Sequence, residues 1–504
     1  MPQWNRATVA SVVLAALALA GGITLIAVAA ARDGSATGAA GRVDPSGPVW
    51  GFVRSDVTAP AGVLEVPASA AGGSWQVIDA LASARATISR QDVGRYRVTF
   101  PGIGVAGGRG AALSTAVGAP APPVVVEAPG AESPEAAGGA PGASDRAGDA
   151  SGGRERRAAH CQVSTWDAVP PDATGGGRVA RVASADDRDD SDDPDDSDDP
   201  DDSDDPDSAD DPDSADDLDE EDGADGAAST GRRDEQVDLV CRDPSGAYAD
   251  SRFTLLFTYV PDGRAAAGGA PYAYVRHDGK AEPAPRPPDG HSVAGPGTIE
   301  VRRVATGRYT VDLIGSDFIR TGNNLQLNAT GGGAAGCNAL DREVLADRQS
   351  ILVGCTDGGA WADTPFVLLY TDHGALVPTG ARGFAHVFTG VAVDGGPVEP
   401  APLGDAVGAW ARYSANSAGA ANTVRRVEVG VYEVVFPKVG RGPGLLSVSA
   451  YGDATSRCTA AGWPEVTGDA GAGDLTVTVR CVDAAGRAVD SHASVAYTSA
   501  GFET

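Results

Sequence analysis

One pattern occurs three times in this chain, at Arg90 to Pro101 (RQDVGRYRVTFP), Arg303 to Leu313 (RVATGRYTVDL) and Arg426 to Pro437 (RVEVGVYEVVFP). After the glycine, an aromatic residue, a valine and a large apolar residue fall at every second position. In an extended chain that spacing puts all three on one face, the mark of a half-buried strand. Ile88, Val301 and Val424 each lie two residues before the shared arginine and end a second alternating run. Gly94, Gly307 and Gly430 therefore supply the permissive backbone of a hairpin turn. The pattern is structural rather than catalytic.

The flanking segments recur with it. Each copy opens on a short alternating run, at Trp50 to Val53, Tyr272 to Val275 and Phe384 to Val387. Each closes on a cysteine, an aspartate two residues later, a second aspartate and a tyrosine: Cys241, Asp243, Asp250 and Tyr259, then Cys355, Asp357, Asp363 and Tyr370, then Cys481, Asp483, Asp490 and Tyr497. The third copy reads as eight short strands, near 384 to 389, 408 to 414, 422 to 428, 431 to 437, 445 to 451, 456 to 463, 474 to 482 and 491 to 498. Turn residues separate them and no helical period appears, as expected of a sandwich. The expected fold is all-β, with three tandem antiparallel β-sandwich-like repeats over 50–260, 272–371 and 384–499. Connectors of 12 or 13 residues suggest domains strung end to end like beads. The second copy departs in two ways: its 338–349 segment tolerates a helix, and it lacks the tryptophan that follows a cysteine at Trp166 and Trp463.

The first copy is longer because of two insertions, roughly 106–158 and 184–232. The first is rich in Gly, Ala and Pro, with only Val124 to Val126 able to pair as a strand; the second carries an acidic tract. Neither can bury enough apolar surface to order itself. Of the formal charge of -30, residues 186 to 222 contribute -23, from 24 Asp and Glu against one Arg. Prolines at 194, 200, 206 and 212 bar a helix there. The tract reads as a solvated spacer, and any association with divalent cations should fall in the weak extracellular range of about 0.1 to 1 mM. The acidic balance argues against a nucleic-acid partner, which needs clustered Lys and Arg.

Ahead of the copies, Ala7 to Ala31 is uncharged and bounded by Arg6 and Arg32. As a helix it covers roughly 37 Å, enough for a hydrocarbon core of about 30 Å. Segment 1–32 is thus a signal anchor or a cleaved signal peptide, and 33–49 a Gly, Ala, Ser and Pro linker. Either way the remainder is exported, anchored in the membrane through 7–31 or secreted.

Six cysteines fall two per copy, and in an exported repeated unit the simplest pairing is within copies: Cys161 with Cys241, Cys337 with Cys355, Cys458 with Cys481. No Cys-x-x-Cys or histidine spacing suggests a metal site. Several weaker signals have plainer readings. Gly102 to Gly107 matches a dinucleotide fingerprint but recurs as a turn near Gly440 to Gly444. Gly290-His291-Ser292 resembles a nucleophile elbow, yet prolines precede it where a strand is required. Asp243, Asp357 and Asp483 suit turns better than calcium. Trp50, Trp75, Trp361 and Trp410 fit sandwich cores better than a glycan platform.

With these pieces in hand, the chain resembles a group of uncharacterised exported β-repeat proteins of high-GC Gram-positive bacteria. The resemblance rests on Tyr413 to Val424, the Gly-x-Tyr-x-Val-x-Phe-Pro strand, Val448 to Gly452, Cys458 with Trp463, and Val479 to Gly486. It implies secretion and a β-rich repeat, with no activity, catalytic residue or cofactor to carry over. The expected function is a non-enzymatic surface protein with structural or adhesive modules and an unidentified surface or cell-wall ligand. The alternative is an extracellular glycan-binding module or hydrolase.

Overall fold

A computed structural model describes residues 47–118, 160–169, 232–261, 270–390, 401–402, 413–467 and 473–500, apart from positions 59, 281–284, 286, 289, 294 and 321. The N-terminal apolar segment, Val124 to Val126, the acidic tract and Trp410 lie outside these residues. Among the described residues no helix is long and apolar enough to cross a membrane.

The fold is all-β and mostly antiparallel, with two short 3-10 turns at Ser74–Val77 and Asp79–Leu81. Three units can be traced, each of two sheets. One sheet, here called axial, has the strand order Ala71–Gly73, Val49–Ser55, Arg252–Tyr259, Ala111–Val117 in the first unit. In the second it is Gly290–Val293, Tyr272–His277, Phe366–Asp372, Asn323–Ala329, and in the third Ala415–Asn416, Ala381–Phe388, His492–Ala500, Gly444–Tyr451. The other, flanking sheet contains the hairpin anticipated from sequence: Thr87–Asp92 with Arg95–Gly104, Thr298–Ala305 with Arg308–Ile314, and Thr423–Glu428 with Val431–Gly440. It then continues into the two cysteine strands.

The six cysteines pair as expected, within units and directly across neighbouring strands. Tyr96, Tyr309 and Tyr432 are all buried, as are Val98, Val311 and Val434 beneath them. The alternating face was read correctly.

The units are not beads on a string. The flanking sheet of each ends on a strand that adds, in parallel, to the axial sheet of the next. Val163 bridges to Thr330, Ala339 pairs with Tyr451, and Ala460 pairs with Val117. The same hydrogen bond crosses all three junctions: Gly331 N–H to Val163 O at 3.1 Å, Gly452 N–H to Ala339 O at 2.9 Å, and Gly118 N–H to Ala460 O at 2.8 Å. First joins second, second joins third and third joins first, so the arrangement closes on itself around a pseudo-threefold axis.

Besides one core inside each unit, a fourth core is shared by all three. Trp50, Phe52 and Leu113 meet Tyr272, Tyr274 and Leu369, together with Leu445 and Ala496. Both faces of the axial sheets are therefore covered. That explains why strands such as Arg252–Tyr259 (RFTLLFTY) and Phe366–Asp372 (FVLLYTD) carry nearly continuous apolar runs rather than alternation. Such strands cannot belong to independent beads, because each bead would leave an apolar face in water.

Two further expectations are corrected. Ala111–Val117, assigned from sequence to the first insertion, is a wholly buried strand, and its short side chains suit the crowded axis. The helix-tolerant 338–349 stretch is strand: Gly336–Val344 turns back into Arg348–Asp357. Antiparallel pairing of the two strands, tied by the Cys337–Cys355 disulfide, overrides the local preference.

Candidate functional site

The shared arginine, glycine, tyrosine and aspartate converge in each unit. Arg90 grips Asp250 with two hydrogen bonds of 2.9 Å; the Gly94 N–H and the Tyr96 hydroxyl donate to the same Asp250 Oδ1 at 2.8 and 3.1 Å. Arg303, Gly307 and Tyr309 hold Asp363 in the same way, and Arg426, Gly430 and Tyr432 hold Asp490. The three glycines take φ of 64°, 64° and 70°. A Cβ there would also lie 2.5 to 2.6 Å from a cysteine carbonyl oxygen. Each glycine carbonyl accepts from the N–H of Cys241, Cys355 or Cys481 at 2.7 Å, so the clamp is tied to the disulfide strand. The guanidinium groups hold Asp363 and Asp490 down at about 2. Bonds that satisfy every member in this way make the cluster a structural clamp rather than a reactive site.

The cysteines' neighbours form the more open arrangement. The turns after Cys241, Cys355 and Cys481 meet around the axis and frame a well of about 170 Å³. Asp243, Asp357 and Asp483 stand at its rim, and His160, Arg242 and Arg457 line its wall. Two of the rim aspartates do the turn work anticipated for them. Asp243 Oδ1 accepts from the Ser245 N–H at 2.8 Å, and Asp483 Oδ1 accepts from the N–H groups of Ala485 and Arg487 at 2.9 Å.

Below the rim, His160, Arg457 and Thr459 also border a smaller chamber whose walls include Cys161, Cys337 and Cys458. The disulfides thus encircle the axis. Arg457 lies across Gly336 of the neighbouring unit, where a Cβ would fall 2.1 Å from the guanidinium carbon. Arg457 Nη1 donates to Ala454 O at 3.0 Å and Ser456 O at 2.9 Å, while Nη2 makes only a 3.4 Å contact with the Thr356 hydroxyl. Burial lowers Arg457 to about 10, against the opposing pull of Asp453 and Asp357. His160 is pushed down to about 3 by burial, with the charges of Arg457 and Arg242 adding to it. The Gln162 amide nitrogen lies 2.8 Å from His160 Nε2, so the neutral ring accepts there and keeps its proton on Nδ1.

Sequence reasoning found the cysteines and the aspartates of this well but missed Arg242, Arg457 and His160. They differ from copy to copy: the residue before the first cysteine is His160, Gly336 or Arg457, and the one after the second is Arg242, Thr356 or Val482. A search for shared residues passes over them. The clamp was legible in its parts, since each arginine and each aspartate was seen to recur; their pairing was not drawn.

The remaining candidates are dispersed. Trp50 and Trp75 are buried in cores, whereas Trp361 is 40% exposed with the Arg308 guanidinium 4.1 Å above its ring. Gly290 to Val293 is an edge strand, and the glycine run after Phe100 is a strand end with a register shift. A larger cleft of about 390 Å³ separates Tyr272 and His373 from Phe384 and Ser417, where the Ser417 hydroxyl accepts from the Phe384 N–H.

No family model, curated protein or solved structure matches this chain.

Proposed function

We propose that this chain is an exported, non-enzymatic surface protein whose β-units serve a structural or adhesive role, tethered through residues 7–31 and carrying the 186–222 tract as an acidic spacer. The observation that carries the reading is the closure of three disulfide-bearing units on one another. A chain that spends three disulfides, three sheet junctions and a shared core on fixing one shape is suited to presenting a rigid surface outside the cell. Disulfides persist in oxidising compartments, which agrees with export. A glycan platform draws less support, because the ring of the exposed Trp361 is already capped by Arg308.

Surface protease treatment of intact expressing cells, combined with thiol labelling, tests the reading. The expected result is cleavage from outside with no labelled cysteine. Recovery in the cytoplasm with reactive thiols, or turnover of ester or peptide substrates by the purified chain, would sink it.

A further inference from the structure

The axial well has a polarity of its own. Arg457 and the neutral His160 line both the well and the chamber beneath it, whereas Asp243, Asp357 and Asp483 line only the well, so the Arg457 cation sits deeper than the carboxylates. One donor there lacks a strong protein partner: Arg457 Nη2 has only the 3.4 Å contact described above. Arg242 is held by the fold, Nη1 donating to Gly246 O at 2.7 Å and Nη2 to Gly332 O at 2.9 Å with the guanidinium over the Tyr248 ring, so it brings charge to the wall rather than a free donor. The wall thus offers at Arg457 Nη2 a charge-assisted donor that the fold leaves weakly used, with the Arg242 charge beside it.

We propose that the axial well binds a small monocarboxylate that enters carboxylate first, with free α-amino acids as the best-fitting class. The carboxylate meets Arg457 Nη2, since arginine forms strong, directional hydrogen bonds to carboxylates, and the Arg242 charge adds attraction from the wall. The ammonium end stays at the rim, where Asp357 is exposed and Asp243 adds negative charge, whereas Asp483 is paired with Arg487 at 2.7 Å. A volume of about 170 Å³ matches roughly five or six liquid waters, which suits an amino acid with a small side chain. A phosphate dianion fits the donors less well, because three carboxylates at the mouth oppose a second negative charge. The same carboxylate chemistry is available from the C-terminus of a peptide. The narrow volume favours the free acid.

Isothermal titration of the purified full chain with L-alanine, acetate, inorganic phosphate and N-acetyl-alanyl-alanine tests this. L-Alanine should bind saturably at one site, about fivefold or more tighter than acetate or the acetylated dipeptide, with no site for phosphate. Arg457→Met should weaken L-alanine about tenfold or more, as loss of a charge-assisted pair requires. Asp357→Asn, on the exposed rim, should weaken L-alanine and bring it to the level of acetate, while acetate is held as well as before or slightly more tightly because a repelling carboxylate is gone. Should Arg457→Met fail to fold, Asp357→Asn carries the test alone. Absence of binding by every probe, phosphate binding as tight as L-alanine, or L-alanine affinity unmoved by Asp357→Asn would overturn the proposal; tighter binding of the acetylated dipeptide would reassign the site to a chain terminus.

Discussion

The clamp and the junction respond differently to triplication. Every clamp has the same arginine, glycine, tyrosine and aspartate. The junctions do not. Where the first unit meets the second, Arg276 lies over the Trp166 ring at 5.4 Å; where the third meets the first, Arg54 lies over Trp463 at 5.0 Å. Where the second meets the third, the pair is reversed. Arg342 stands five residues after Cys337, the place of Trp166 after Cys161 and Trp463 after Cys458. Phe388 stands in the axial strand at the place of Arg54 and Arg276. Arg342 lies 5.8 Å from Phe388, 5.8 Å from Tyr451 and 3.3 Å from Tyr413, and bonds to Asn323 Oδ1 at 2.7 Å. The tryptophan missing from the second copy is thus replaced by the cation, with rings supplied from across the junction.

The contrast has a physical source. A clamp must satisfy one carboxylate, one left-handed glycine and one cysteine N–H inside a hairpin, and few side chains fit all three. A junction needs only one cation against one ring, and that attraction is indifferent to which side provides which.

The largest effect should come from the clamp. Tyr432→Ser empties a buried site and breaks the bonds to Asp490 and the Ser491 N–H, so it should cost roughly 3 kcal/mol or more in denaturant unfolding. A smaller cost than any junction variant would reverse the ranking. Next comes Phe388→Arg, which sets two guanidinium groups together in a buried junction and should cost about 2 kcal/mol or more. Combining it with Arg342→Trp recreates the polarity of the other junctions. The double-mutant cycle should return a favourable coupling of about 1 kcal/mol, reduced by the loss of the Asn323 bonds. Zero coupling would mean that polarity at the junction is not interchangeable.

The smallest effect is acid sensitivity. Asp363 and Asp490 titrate at about 2 in the fold against an ordinary 3.8. Their contribution is complete above the unfolded value and disappears as pH falls through the folded one, so stability should drop between about pH 4 and 2. Asp363→Asn should flatten that drop and leave the neutral-pH junctions unchanged.

Much of this fold was legible. The alternation after Gly94, Gly307 and Gly430 gave the strand and its buried face, and equal cysteine placement gave the pairing. Closure was not, because parallel edge addition at Ala339, Ala460 and Val163 involves backbone groups that leave no residue signature. The shared core was hidden for a related reason: Trp50 and Phe52 alternate whether their face meets the unit's own core or a neighbouring unit. Ala111–Val117 was lost because its own short side chains merge with the Ala- and Gly-rich stretch around it. The well escaped notice since its arginines break the threefold pattern that made everything else readable.

Native-state amide exchange at Gly118, Gly331 and Gly452 tests ring closure most directly, because their N–H groups cross from one unit to the next. The account predicts that all three exchange slowly, with opening free energies close to that of global unfolding. Exchange at the rate of an unprotected loop at these three amides, with the strand interiors of each unit still protected, would contradict it and restore the independent beads.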